Sequence, residues 1–120
     1  MRRIVLSVSQ HSATQITRNL ILERAGYQVI STGDLSEALQ LFTDNVVHAV
    51  VLGDSISAEN RQQLGGRLKS LKPPVPIVML CKTNDSRALR DLADEQVESF
   101  EDPQILLDAL RRVLRPGNQT

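Results

Sequence analysis

Short apolar, β-rich runs alternate with longer segments of helical period along the whole chain, and this alternation constrains the fold more than any other feature. The runs are RIVLSV (3–8), YQVIST (27–32), HAVVL (48–52), VPIVMLC (75–81) and a short one over Val97 to Phe100. Between each pair lies enough chain for a helix, which is what a parallel sheet with crossover helices requires. HAVVL is nearly all apolar, as expected of a strand covered on both faces, so it belongs near the middle of the sheet.

The intervening segments carry helix signals. After SQHSAT, the spacing of Ala13, Ile16, Leu20, Ile21 and Arg24 predicts a first helix that closes on Gly26. DLSE (34–37) offers a capping box, Asp34 accepting from the helix start and Glu37 reaching back, ahead of Leu35, Ala38, Leu39 and Phe42 on one face and an end near Thr43. A third helix spans about Ala58 to Leu71, with Leu64, Leu68 and Leu71 on one side and Gly65 and Gly66 each weakening it by about 1 kcal/mol relative to Ala. Asn84 is placed to cap a short fourth helix bearing Leu89, Leu92 and Ala93. Asp102 and Pro103 read as the cap and first position of a fifth, whose stripe is Ile105, Leu106, Ala109, Leu110, Val113 and Leu114.

The chain has 120 residues, 41% of them hydrophobic, which suffices for one core but hardly for two. We therefore read one domain over 1–120, with its core at about 3–114 and a tail at 115–120. Fourteen Lys and Arg balance fourteen Asp and Glu, interspersed rather than blocked, so neither nucleic acid nor an anionic membrane is expected as a partner. The opening MRRIVLSVSQ is too short an apolar run for a signal peptide or a spanning helix, and a cytoplasmic location is expected. A lone Cys81 forms no internal disulfide, and no Cys/His cluster has zinc spacing.

Five β-α units carrying IVLSV, LERAGYQVISTGDLSEAL, HAVVLGDSIS, VPIVMLC and DPQILLDALRRVL resemble the receiver domain of two-component response regulators over residues 3 to 114. The resemblance implies a flavodoxin-like (CheY-like) three-layer α/β/α sandwich around a five-stranded parallel sheet of order 2-1-3-4-5, with its site at the carboxyl ends of the strands. It also implies a chemistry. An acidic pair holds Mg²⁺, an Asp after the third strand takes a phosphoryl group, and a hydroxyl and a Lys stabilise its charge. Counted without gaps from Gly26, those slots fall on Ser9 and Gln10, Gly53, Cys81 and Asp102. All five are substituted. Metal ligands and catalytic residues are therefore not expected, nor is Mg²⁺ binding or enzyme activity.

Asp54 stands one residue beyond the phosphoacceptor slot. Strand alternation turns neighbours to opposite faces, so Asp54 is expected to face away and to cap the next turn or stand in solvent. His11, His48 and Cys81 suggest a Cys/His nucleophile, but only His11 and Cys81 share a sheet end, and Cys81 reads as a buried strand terminus. The resulting expectation is a degenerate receiver acting by phosphorylation-independent binding. Its partner would be a protein, or a second copy, at the surface of the fourth helix, fifth strand and fifth helix (85–114). The family's switching aromatic in the fifth strand is replaced by Ser99. The alternatives are an atypical receiver phosphorylated on Asp54, or a small-ligand sensor using the pocket near Ser9, His11 and Cys81.

Overall fold

The computed structural model of the chain describes residues 2–10, 12–71, 74–98 and 102–114. Five strands and five helices alternate: β1 Ile4–Val8, α1 Ser12–Arg24, β2 Gln28–Thr32, α2 Leu35–Asp44, β3 Ala49–Leu52, α3 Ala58–Lys69, β4 Ile77–Cys81, α4 Arg87–Arg90, β5 Glu95–Glu98 and α5 Pro103–Leu114. All strand pairs are parallel and the order is β2-β1-β3-β4-β5. The apolar HAVVL run is thus the central strand, and all four residues of β3 are buried.

Alternation along the strands sends side chains to two cores. Leu6, Val8, Val50, Leu52, Met79 and Cys81 face α2, α3 and α4. Val5, Val51, Val78 and Leu80 face the other way, against Leu22 of α1 and Leu106, Ala109, Leu110 and Val113 of α5. His48 joins the sheet's opposite end, its Nδ1 accepting the Ile4 N–H at 2.9 Å while its own N–H donates to the Ile4 carbonyl. That is a structural role.

The caps follow the sequence in part. Gly26 adopts φ 103°, and the pair of bonds Gly26 N to Glu23 O and Tyr27 N to Leu22 O closes α1 in a Schellman motif, as glycine there predicts. Asp34 caps α2 by accepting from Glu37 N at 3.0 Å, but Glu37 does not reach back. Its carboxylate takes the Thr32 hydroxyl instead, which turns to accept the Asp34 N–H.

Three expectations are corrected. On α1, Ile16 and Leu20 are 61% and 50% exposed, while Arg18 and Leu22 are buried. The inward face is polar because the sheet offers it partners: Gln15 Nε2 donates to the Ser7 and Thr32 carbonyls at 3.1 Å each. The cap of α4 is Ser86, not Asn84, with Leu89 N donating to Ser86 Oγ, because the residue between them, Asp85, is drawn into the interior by Arg61. β5 begins at Glu95, before the apolar run, because an edge strand takes its register from its only neighbour, Cys81 pairing with Glu98. Ser99 and Phe100 lie outside the described residues.

Candidate functional site

The carboxyl ends of β1 and β3 meet one residue past their ladder, where Val8 pairs with Leu52 and Gly53 N donates to the Val8 carbonyl at 2.8 Å. Ser9 and Gly53 are therefore neighbours. Both are buried and both follow the alternation that faces α1. The Ser9 N–H is spent on the Thr32 carbonyl at 3.1 Å, and its hydroxyl shares a 2.7 Å hydrogen bond with Ser55 Oγ. Ser55 Oγ also accepts the Gln10 N–H at 2.9 Å, so one serine fastens the turn after β3 to the end of β1. Gln10 itself is exposed and supplies only its backbone.

Gly53 is required by close packing. A Cβ added there would lie 3.0 Å from both Ser9 Cβ and Ser9 Oγ, and 3.1 Å from Arg18 Nη1. Any residue with a side chain, Asp included, would have to push Ser9 and the guanidinium aside. Arg18 reaches this place from α1 and is 7% exposed. Its Nη1 is buried without a hydrogen-bond partner among the described residues, as are Ser7 Oγ on β1 and Asn19 Oδ1 on α1. Burial depresses the Arg18 pKa, and the negative charge of Asp54 opposes that shift.

Asp54 thus differs from its expected placement. The chain leaves the strand geometry after Gly53, and the turn leaves the half-buried Asp54 within electrostatic range of Arg18. It accepts no hydrogen bond among the described residues, and the cap of α3 is Ser57, which accepts from Asn60 N at 3.1 Å.

Cys81 and Asp102 fill the remaining slots. Cys81 is fully buried in the core beneath α3 and α4, on the sheet face opposite Gly53, with its thiol directed at the Met79 carbonyl. Burial pushes its pKa up, away from the thiolate form a nucleophile needs. Asp102 starts α5 as the sequence implies: its Oδ1 accepts Gln104 N and its carbonyl accepts Ile105 N, both at 2.8 Å. His11 lies outside the described residues. These donors do not fit a magnesium ion. A hard divalent cation calls for carboxylate and carbonyl oxygens, whereas here a buried guanidinium fills the space beside the missing carboxylate. Among the described residues no three His, Cys, Asp or Glu side chains are placed to hold any metal.

With strand order β2-β1-β3-β4-β5 and the site at the strand ends in place, comparison with solved structures is decisive for architecture. The chain has the fold of CheY-like receiver domains. A chemotaxis response regulator of Vibrio cholerae superposes with a TM-score of 0.81 at 21% identity, covering 95% of this chain and 100% of that one. A CheY-like receiver domain from Methylobacillus flagellatus gives 0.76 at 21%, covering 94% and 99%. An orphan response regulator of H. pylori gives 0.80 at 16%, covering 96% and 100%. No family model and no curated protein matches the sequence. No helix among the described residues is long and apolar enough to cross a membrane.

One feature of this fold had only a faint signal in the sequence. Arg61 of α3 is 1% exposed and fully engaged: Nε donates to Ile56 O at 2.9 Å, Nη1 to Leu80 O at 3.1 Å, and a fork closes on Asp85 at 2.7 and 3.0 Å. Asp85 also accepts Lys82 N at 2.7 Å. Arg90 continues the lattice, donating to the Asp85 and Lys82 carbonyls and pairing with Glu98 at 2.8 Å. The β4–α4 loop is thereby tied to α3 on one side and β5 on the other. The only available hint was position 61 in the inward stripe of Leu64 and Leu68.

Proposed function

We propose that the protein is a degenerate receiver in a two-component signalling pathway, one that works by binding a protein partner and not by accepting a phosphoryl group. The observation that carries this reading is the packing around Gly53, where Ser9 and Arg18 stand in the room a phosphoacceptor side chain would need. Two further observations support it. The metal-binding carboxylates are replaced by Ser9 and Gln10, and the β4–α4 loop is held by the buried Arg61–Asp85 ion pair and the partly exposed Arg90–Glu98 pair, which a switching loop would have to break. Binding through α4, β5 and α5, to another protein or to a second copy, would then depend on a fixed surface. A cytoplasmic location and the absence of enzyme activity belong to the same proposal.

Acetyl phosphate with Mg²⁺, followed by intact-mass measurement, tests the phosphoryl half of the reading. The expected result is an unmodified mass. A phosphoryl adduct that disappears in Asp54→Asn would favour the alternative, a displaced phosphoacceptor. For the binding half, alanine at the exposed Arg87 and Arg111, on α4 and α5, is expected to weaken self-association or capture of the partner. An unchanged interaction would move the surface elsewhere.

A further inference from the structure

Helices α2 and α3 lie on the same face of the sheet and leave an open hollow of about 240 Å³ between them. Its walls follow from helical spacing. Leu35 and Leu39 stand four residues apart on α2, and Gln63 and Arg67 stand four apart on α3, so each pair forms one ridge, with Ser36 beside the first and Leu64 beside the second. α3 packs closely on its other side, where Leu92 comes within 3.3 Å of the place a Gly65 Cβ would occupy. Toward α2 the ridges stand apart. Leu64 is buried, Leu35 and Leu39 are half-buried, and all three belong to the core on this face. Ser36, Gln63 and Arg67 are exposed, and none of their side chains makes a hydrogen bond or ion pair to a described residue. Unspent donors, one of them cationic, thus rim an apolar floor, which is the make-up of a site for a small ligand.

We propose that the hollow between α2 and α3 is a binding site for a short aliphatic carboxylate, its chain against Leu35, Leu39 and Leu64 and its carboxylate on the Arg67 guanidinium. Charge and size select this class. Arg67 is the one charged group among the lining residues, and a guanidinium presents a carboxylate with a planar fork of donors. At about 30 Å³ per water-sized group the volume admits roughly eight such groups, the size of hexanoate. It lies below the roughly 300–1,000 Å³ of pockets for drug-sized ligands. The site is separate from Gly53 and from the α4–β5–α5 surface, so it stands whether or not the chain accepts a phosphoryl group. It shares α3 with Arg61, and so sets the ligand against the helix that anchors the β4–α4 loop.

Titration with sodium hexanoate at matched ionic strength, followed by methyl ¹H–¹³C NMR, tests this against two controls: hexanol, the chain without the charge, and acetate, the charge without the chain. Saturable shifts are expected at the methyls of Leu35, Leu39 and Leu64. Hexanol should bind about threefold more weakly or worse, as for loss of one partly exposed ion pair. Acetate should be weaker by at least about tenfold, for the lost methylenes. Arg67→Gln should bring hexanoate to the level of hexanol and leave hexanol unchanged, and Ser36→Trp, which fills the hollow, should abolish binding of both. The exposed Ile16 and Leu20 of α1 serve as an internal reference for unspecific apolar contact. No saturable shift, equal shifts at Ile16 and Leu20, hexanol binding as tightly as hexanoate, or an unchanged response in either variant overturns the proposal. Both substitutions replace exposed side chains, and should Ser36→Trp fail to fold, Arg67→Gln with the hexanol control still decides it.

Discussion

Two arginines are buried among the described residues, one on each face of the sheet, and they are treated in opposite ways. Arg61, under α3, is satisfied by two carbonyls and a bidentate carboxylate. Arg18, on α1, has a buried nitrogen with no partner among the described residues, and the charge of Asp54 acts on it without a hydrogen bond between them. A satisfied buried cation costs little to keep and much to disturb, so it fixes a conformation. An unsatisfied one weakens the fold. On one face of the sheet the β4–α4 loop is locked, and on the other Arg18 packs against Gly53.

The sharpest way to break this contrast is to remove a partner from the satisfied pair. Asp85→Ala strands Arg61 and is expected to cost about 3–5 kcal/mol in urea unfolding. A loss under 1 kcal/mol would mean that the lattice does not hold the loop. The same carboxylate gives a pH signature. Burial raises its pKa, but hydrogen bonds from Arg61 and the Lys82 N–H, with the charges of Arg61 and Arg90, bring it below the ordinary carboxylate value. A depressed folded pKa contributes stability in full above the unfolded value, and that contribution is lost as pH falls through the folded one. Acid unfolding below about pH 4 should therefore lose a stabilising share that Asp85→Ala lacks.

A smaller effect tests the packing at the other arginine. Gly53→Ala inserts a methyl 3.0 Å from Ser9 and 3.1 Å from Arg18 Nη1 and should destabilise by about 1–3 kcal/mol. Shortening Arg18 to Ala in the same chain should recover part of that loss, and simple additivity of the two changes would mean that they do not meet. The smallest effect sharpens the contrast most. Arg18→Met removes an unpaired charge and keeps the bulk, so thermal unfolding is expected to show no loss and a gain on the order of 1 kcal/mol. A loss like that of Asp85→Ala would show that Arg18 is satisfied in solution, and the two arginines would no longer differ.

Most of the fold was legible because β propensity and helical period repeat through the chain, and the strand order followed from the resemblance. The errors fell where a polar group stands in for an apolar one. Ile16 and Leu20 gave α1 an apolar stripe, yet it is the face of Gln15, Arg18 and Leu22 that meets the sheet. Asp85 stood at the start of the expected fourth helix, and nothing local reveals that it sits against an arginine 24 positions earlier. At the site, the substitution of Gly53 was readable, but its cause was not. That Arg18 fills the space is a three-dimensional fact about α1 lying over the ends of β1 and β3. Cys81 was assigned to the same pocket by counting, whereas strand alternation turns it into the opposite core.

The claim on which the account turns is that the pocket at Gly53 has lost phosphoryl chemistry. Titration with beryllofluoride and Mg²⁺, followed by ¹H–¹⁵N NMR, addresses it most directly, since that complex mimics the aspartyl phosphate. The account predicts no saturable, magnesium-dependent shift at residues 53 to 56 and no change along α4 and β5. Saturable shifts there that require Mg²⁺ and are lost in Asp54→Asn would contradict it.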